Sequence, residues 1–280
     1  MDESTGEVAA GGRLSGRVAI VTGAGMASED SEVLGTGAAI GVLLAREGAR
    51  VGLIDRDEGH AERTHSRIQA EGGKSVVVVA DVTDERSCCS AVTTVVDRWG
   101  QLDVLVNNVG ISSAGVATDL DLDAWEKVFR TNVTSMMLMA RESIPHMQRA
   151  GAGAIINLSS VSGIRGGHSG LAYPTSKGAV VNMTRAMAAH HGSVGIRVNC
   201  VAPGMIYTPM VGSRGMTPDV REQRRRSSLL ETEGTAWDVA YAVAFLASQE
   251  ARWITGVTLP VDAGRSAVAG GTVAGGQMQT

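Results

Sequence analysis

What most constrains this chain is an alternation of seven short β-branched runs with stretches of helical period between them. The runs are Val18–Thr22, Val51–Asp55, Ser75–Ala80, Val104–Asn107, Ala154–Ser159, Arg197–Val201 and Val257–Val261. They lack strict polar alternation, as expected for strands buried on both faces of a parallel sheet. Helical stretches fill the gaps at 37–48, 57–72, 84–99, 121–149, 172–191 and 235–248, with Asp121 and Thr235 standing where N-caps belong. Parallel neighbours need right-handed crossovers, which put helices on both faces of the sheet. The pattern predicts an α/β, doubly wound Rossmann fold with a seven-stranded parallel sheet over 15–265. Residues 1–14 and 266–280 are rich in Gly, Ala, Ser and Thr and read as flexible tails.

Composition narrows the class. Apolar residues make up 44% of the 280 and aromatics only 3%, so the core must be built from Val, Ala, Leu, Ile and Met. A net charge of −4 argues against a general nucleic-acid binder. Cys88, Cys89 and Cys200 have neither metal-ligand nor redox spacing, and the adjacent pair is unsuited to an ordinary disulfide. A reducing cytoplasm is the expectation, with no metal. No apolar run reaches about 18 residues, and the acidic start is the wrong chemistry for a signal peptide, so no membrane partner is expected.

Thr22-Gly23-Ala24-Gly25 follows the first strand directly, and after an interruption comes Gly35 to Gly41. A glycine-rich turn entering a helix lets backbone N–H groups approach a pyrophosphate at the positive helix end. Here Met26 to Leu34 intervene, nine residues where the uninterrupted motif has one. Gly23, Gly25, Gly35 and Gly37 align with the turn, and Ala38 begins the helix. The interruption reads equally as a lid over the dinucleotide or as a solvent-facing excursion.

Asp55 ends the second strand eighteen residues after Gly37, where a carboxylate can bond ribose hydroxyls and repel a 2′-phosphate. That favours NAD over NADP. Arg56 pulls the other way, whereas the interruption brings Glu29, Asp30 and Glu32 and no basic side chain. Asp81 and Val82 end the third strand, where a short acid either reaches an adenine amino group or starts the next helix. Asn107-Asn108-Val109-Gly110 ends the fourth: Asn108 can tie loop backbone together, and Gly110 leaves room for a cofactor.

Tyr173 and Lys177, four apart, project from one side of a helix. An ammonium beside a phenol favours the phenolate. Ser160, thirteen residues before Tyr173, can hydrogen-bond a substrate oxygen, which gives a proton-transfer site for an alcohol or carbonyl. Taken alone the Tyr–Lys spacing is a weak signal.

With T-G-A-G, D-V, N-N-V-G, Asn132, L-S-S, Y-P-T-S-K and P-G-M-I-Y-T in this order, residues 15–264 resemble the short-chain dehydrogenases/reductases. The resemblance implies that Tyr173 is the general acid/base and that Lys177 lowers its pKa and bonds the nicotinamide ribose. Ser160, favoured over Ser159 by spacing, would polarise the substrate oxygen, and Asn132 would hold a water in the proton relay. Pro203, Gly204, Ile206 and Thr208 would meet the nicotinamide, Ile206 through backbone and Thr208 through its hydroxyl. It also implies a homotetramer, paired through helix faces carrying Met136, Met137 and Met139. N-N-V-G in place of the commoner N-N-A-G and the lengthened glycine loop are the departures.

The loop Ile164–Leu171 should line the substrate pocket, its chargeable Arg165 and His168 reading first as surface-exposed and second as partners for a substrate carboxylate or hydroxyl, and Met210–Gly234 should close over it. The latter carries Arg221 and Arg224 to Arg226. These read first as the wet face of a lid helix balanced by Glu222, Glu231 and Glu233, and second as a cluster recruiting an anion such as a carboxylate or a phosphate-bearing carrier. The expected function is an NAD-dependent oxidoreductase interconverting a secondary alcohol and a ketone. The alternatives are an NADPH-dependent carbonyl reductase of 3-oxoacyl type and, from another class, a non-catalytic dinucleotide-binding protein.

Overall fold

Strand β1 (Val18–Thr22) is wholly buried and lies at the centre of the molecule, between β2 (Arg50–Asp55) and β4 (Val104–Asn107). The structure, a computed structural model, describes residues 12–27, 33–209 and 216–268. Most of both predicted tails, Glu29, Asp30 and Glu32, and residues 210–215 of the predicted lid lie outside the described residues.

The sheet has seven parallel strands in the order β3-β2-β1-β4-β5-β6-β7, completed by β3 (Lys74–Val79), β5 (Gly153–Leu158), β6 (Ile196–Pro203) and β7 (Thr258–Val261). The order turns back between β1 and β4, so the two following loops diverge and leave a crevice at the strands' C-terminal edge. Helices α1 (Thr36–Arg46) and α2 (Glu58–Ala70) pack on one face, and α3 (Glu85–Trp99) on the other. The α3 face is completed by α5 (Ser135–Ala150) and α6 (Ala172–His191).

The predicted helix at 121–149 is divided. Helix α4 (Leu122–Phe129), capped by Asp121 accepting from the Ala124 N–H at 2.8 Å, runs into a π-helical turn at Arg130–Thr134 before α5 begins. Such turns recur at functional sites because the extra residue shifts the carbonyl ladder. Helix α7 (Pro218–Arg226) lies within the irregular stretch, started by Thr217 with proline in the first turn. Helix α8 (Ala236–Ala247) returns to the α1 face, and the Asp238 carboxylate accepts from the Thr235 N–H and hydroxyl at 2.7 and 2.8 Å.

One expectation is corrected. Met136 and Met139 are 1% and 0% exposed and belong to the core, and only Met137, at 39%, faces outward. Helical spacing puts Met136, Met139, Ala140 and Ser143 on one inward stripe with Met137 beside it.

Candidate active site

The glycine turn is built by close contact. Gly23 takes a positive φ of 62°, which only glycine adopts without strain. A Cβ at Gly37 would lie 2.0 Å from the Gly23 carbonyl oxygen, so Gly37 is what lets α1 pack on the turn. Asn108 reinforces it: its Nδ2 donates to the Thr22 and Gly23 carbonyls at 3.0 and 3.1 Å, and its N–H to Thr22 Oγ1 at 3.0 Å. Asp55 sits against Gly25, accepting from its N–H at 2.9 Å through Oδ2 and from the Asp57 N–H at 3.1 Å through Oδ1. Arg56 is exposed. Asp81 bonds the Thr83 N–H and hydroxyl at 2.8 and 2.7 Å, and Val82 is buried. The residue capping α3 is Asp84, so Asp81 is not the helix start.

These residues fit a dinucleotide. Among the described residues, a Cβ on Gly35, before α1, would meet only the Gly25 carbonyl oxygen, at 3.9 Å. No side chain among the described residues caps α1, which suits its first-turn N–H groups to a phosphate. Gly110 packs against Lys177: a Cβ there would lie 3.1 Å from Nζ, so the missing side chain keeps the ammonium uncovered on that side.

The polar residues converge where β4, β5 and α6 meet. Lys177 is only 3% exposed, and its Nζ donates to the Leu158 carbonyl at 2.7 Å. Among the described residues no carboxylate lies within ion-pair distance of it, and burial lowers the ammonium pKa to about 8. Its Nζ lies 5.9 Å from the centre of the Tyr173 ring. The two serines divide. Ser159 Oγ donates to the Lys177 carbonyl at 2.7 Å and is spent on holding α6. Ser160 Oγ accepts only a 3.1 Å bond from the Ser162 N–H and keeps its proton to donate.

Asn132 is fully buried within the π-helical turn. Its Oδ1 accepts from the Ile111 N–H at 2.8 Å, and its Nδ2 donates to the Ile111 carbonyl and Ser176 Oγ, both at 2.9 Å. Both amide protons are therefore used in clamping the loop after β4 to α6. Ser176 passes the link on, donating to the Tyr173 carbonyl at 2.7 Å. Sequence reasoning missed Ser176 although it lies inside Y-P-T-S-K. It also missed the buried pair Asn107–Asn157, opposite each other in register and bonded at 2.9 Å. An asparagine near the end of each of two neighbouring strands was the available signal.

On the substrate side His168 is exposed, yet its ring lies 5.0 Å from the Tyr173 ring, centre to centre. Beyond β6, Pro203 leads into Gly204, which packs on Asp262 and donates to the Val261 carbonyl at 2.9 Å. The Ile206 N–H donates to the Gly204 carbonyl at 3.0 Å and its carbonyl accepts from Arg224 at 3.2 Å, so a ligand there must share both groups. Thr208 is buried. In α7 the expected charge balance holds for three arginines: Arg221 pairs with Glu233, and Arg225 and Arg226 pair with Glu222 at 2.7 and 2.6 Å. Arg224 is the exception.

Among the described residues no three His, Cys, Asp or Glu side chains are grouped to hold a metal, and no helix is long and apolar enough to cross a membrane.

Residues 31–266 match a family model described as enoyl-(acyl carrier protein) reductase. The chain is 36% identical over 260 residues to 2-(S)-hydroxypropyl-CoM dehydrogenase 3 of Xanthobacter autotrophicus, covering 91% of this chain and 99% of that protein. It is 37% identical over 256 residues to cyclopentanol dehydrogenase of Comamonas, covering 91% and 99%. A solved structure from Burkholderia xenovorans, described as a short-chain dehydrogenase/reductase, superimposes with a TM-score of 0.87 at 38% identity over 92% of this chain and all of that one.

Proposed function

The chain belongs to the short-chain dehydrogenase/reductase family and is an oxidoreductase acting on CH–OH groups; from that premise we propose that it interconverts a secondary alcohol and a ketone with NAD. The observation that carries the reading is Lys177. An ammonium taken out of water without an acid partner is costly and needs a reason. Its place beside Tyr173, with no side chain on Gly110 to cover it, supplies one.

In the oxidative direction Tyr173 accepts the hydroxyl proton of the substrate. Lys177 favours the phenolate by its charge and directs its remaining N–H groups towards the ribose side. Ser160 donates a hydrogen bond to the substrate oxygen and fixes its orientation. Asn132 and Ser176 act as positioning residues, holding the Ile111 loop and the start of α6 in place. Gly23, Gly25, Gly35 and Gly37 would hold the dinucleotide phosphates, and Asp55 the adenosine ribose. Bound there, NAD supplies the hydride acceptor.

The preference for NAD rests on Asp55, which already accepts the Gly25 N–H and presents negative charge to the ribose. The exposed Arg56 keeps an NADPH-dependent carbonyl reductase as the second reading. The substrate reading draws on relatives named for hydroxypropyl-CoM and for cyclopentanol. A homotetramer is part of the proposal, supported by exposed Leu122 and half-buried Trp125 and Phe129 on α4. The free cysteines support a cytoplasmic location.

Fluorescence titration with NADH and NADPH tests the cofactor: tighter NADH binding is expected, and tighter NADPH binding moves the reading to the carbonyl reductase. Tyr173→Phe should lower turnover of a cyclopentanol-like alcohol about 10³-fold while leaving NADH affinity intact. Surviving activity would overturn the mechanism.

A further inference from the structure

Three arginines from segments far apart in the chain meet beside this site. Arg165 lies in the loop between Ser160 and Tyr173, Arg224 in α7, and Arg265 in the turn after β7. Arg165 Nη1 donates to the Arg265 carbonyl. Arg265 Nη1 donates to the Ser227 carbonyl at 3.3 Å and to the Ser227 hydroxyl. Arg224 Nη2 donates to the Ile206 carbonyl. All three are half-buried, and among the described residues none has a carboxylate within ion-pair distance.

Their neighbours make the contrast. Arg221, Arg225 and Arg226 of the same helix are each ion-paired. The acids nearest the trio are already engaged: Asp262 accepts from the Gly264 and Ser266 N–H groups at 3.0 and 2.6 Å, and Glu233 holds Arg221. Burial is the largest cause lowering the pKa of both Arg224 and Arg265. At Arg224 the attraction of Glu233 comes next, ahead of the repulsion from Arg265, and at Arg265 the repulsion from Arg165 outweighs the attraction of Asp262. Like charges gathered in a partly dry place repel unless an anion joins them. A guanidinium fork suits an oxyanion with two coplanar oxygens, because it donates two parallel bonds.

We propose that Arg165, Arg224 and Arg265 form an anion subsite that receives a carboxylate or larger oxyanion at the far end of the substrate from its hydroxyl. The substrate class is thus an alcohol that also carries a negative charge. This rests on the dehydrogenase reading for its hydroxyl end only; the anion end stands on the arginines. Arg165 ties the subsite to the loop that presents Tyr173, and Arg224 ties it to the loop of Ile206 and Thr208. Binding of the anion would therefore draw together the segments that close the pocket.

The test is calorimetry on the purified enzyme saturated with NADH, titrated with cyclohexanecarboxylate, its methyl ester and inorganic phosphate. The proposal expects the carboxylate to bind and the ester to bind at least about tenfold more weakly. Arg224→Gln and Arg265→Gln should each weaken the carboxylate about tenfold or more, whereas Arg226→Gln leaves it unchanged. Tighter phosphate than carboxylate would support the subsite and assign it to a phosphoester. Absence of carboxylate and phosphate binding, equal binding of acid and ester, or equal losses in the Arg224 and Arg226 variants would overturn it. So would a loss of NADH affinity in Arg224→Gln with carboxylate binding retained, which would give the arginines to the cofactor. Tyr173→Phe separates the two readings: it should keep carboxylate binding while losing turnover, so either can fail without the other.

Discussion

The two halves of the crevice are held by different forces. At the cofactor end the polar side chains of the turn already have partners in the protein, and the groups left for a ligand are the backbone N–H groups at the start of α1. The Asn108 amide closes on Thr22 and Gly23, Asp55 closes on Gly25, and Gly37 lets helix and turn touch. At the substrate end the chain buries positive charge, on Lys177 and on the arginine trio, that no described carboxylate meets at ion-pair distance, Glu233 and Asp262 acting on Arg224 and Arg265 only from further away. The first end has its side chains settled as folded and offers backbone N–H groups; the second offers charged side chains that what binds would complete. Stability should accordingly reside in the first and be given up in the second.

The sharpest way to break that contrast is to add one methyl group to the cofactor end. Gly37→Ala drives its Cβ into the Gly23 carbonyl and should cost about 3 kcal/mol of stability, read by denaturant unfolding. Lys177→Met should remove activity yet leave the protein no less stable at neutral pH. The sign follows from protons bound. The folded protein releases the Lys177 proton near pH 8, whereas the unfolded chain keeps it to about 10.4. Between these values the unfolded state binds more protons, so wild type should gain on the variant as pH rises, by up to about 1.4 kcal/mol per pH unit. A difference that is flat with pH would mean that the buried ammonium carries no such cost.

Smaller effects sharpen the cofactor end. Asp55→Asn keeps an acceptor for the Gly25 N–H but removes the charge. It should shrink the preference for NADH over NADPH by roughly 10- to 100-fold, the range of a charge-assisted hydrogen bond. Gly35→Ala is the smallest and most selective change. With no described residue nearer than 3.9 Å to its new Cβ, it should leave unfolding unchanged while weakening NADH roughly tenfold. If Gly35→Ala and Gly37→Ala behaved alike, the division between a packing glycine and a cofactor-facing glycine would be lost.

How far the sequence was legible varied by element. The strands were found to within one or two residues because both-face burial leaves an unbroken β-branched run that local reading detects. The break at Arg130–Thr134 was invisible, since the helical period continues through it and only hydrogen-bond register changes. Helix α7 fits the reading of the arginine cluster as the wet face of a lid helix, but its bounds were not read because Asp219 to Arg226 holds one apolar residue, Val220, and so no stripe, although Thr217-Pro218 signals its start. The outward placement of Met136 and Met139 failed because neighbouring methionines look alike in sequence, and only the helix phase sorts Met137 from them. The spacing preference for Ser160 over Ser159 acquired a physical reason: one hydroxyl is spent on the Lys177 carbonyl, the other is not.

By itself the sequence determined what repeats locally: buried strands, helix periods, a glycine turn after the first strand, and Tyr173 one helical turn from Lys177. These depend on residues a few positions apart, where backbone geometry fixes the outcome. Tertiary structure decided what depends on distance along the chain. It determined which glycine packs, which serine keeps a free proton, how Asn132 clamps Ile111 to Ser176, and that Arg165, Arg224 and Arg265 share one place. Burial and charge are sums over neighbours that come from everywhere in the chain, so no local pattern can carry them.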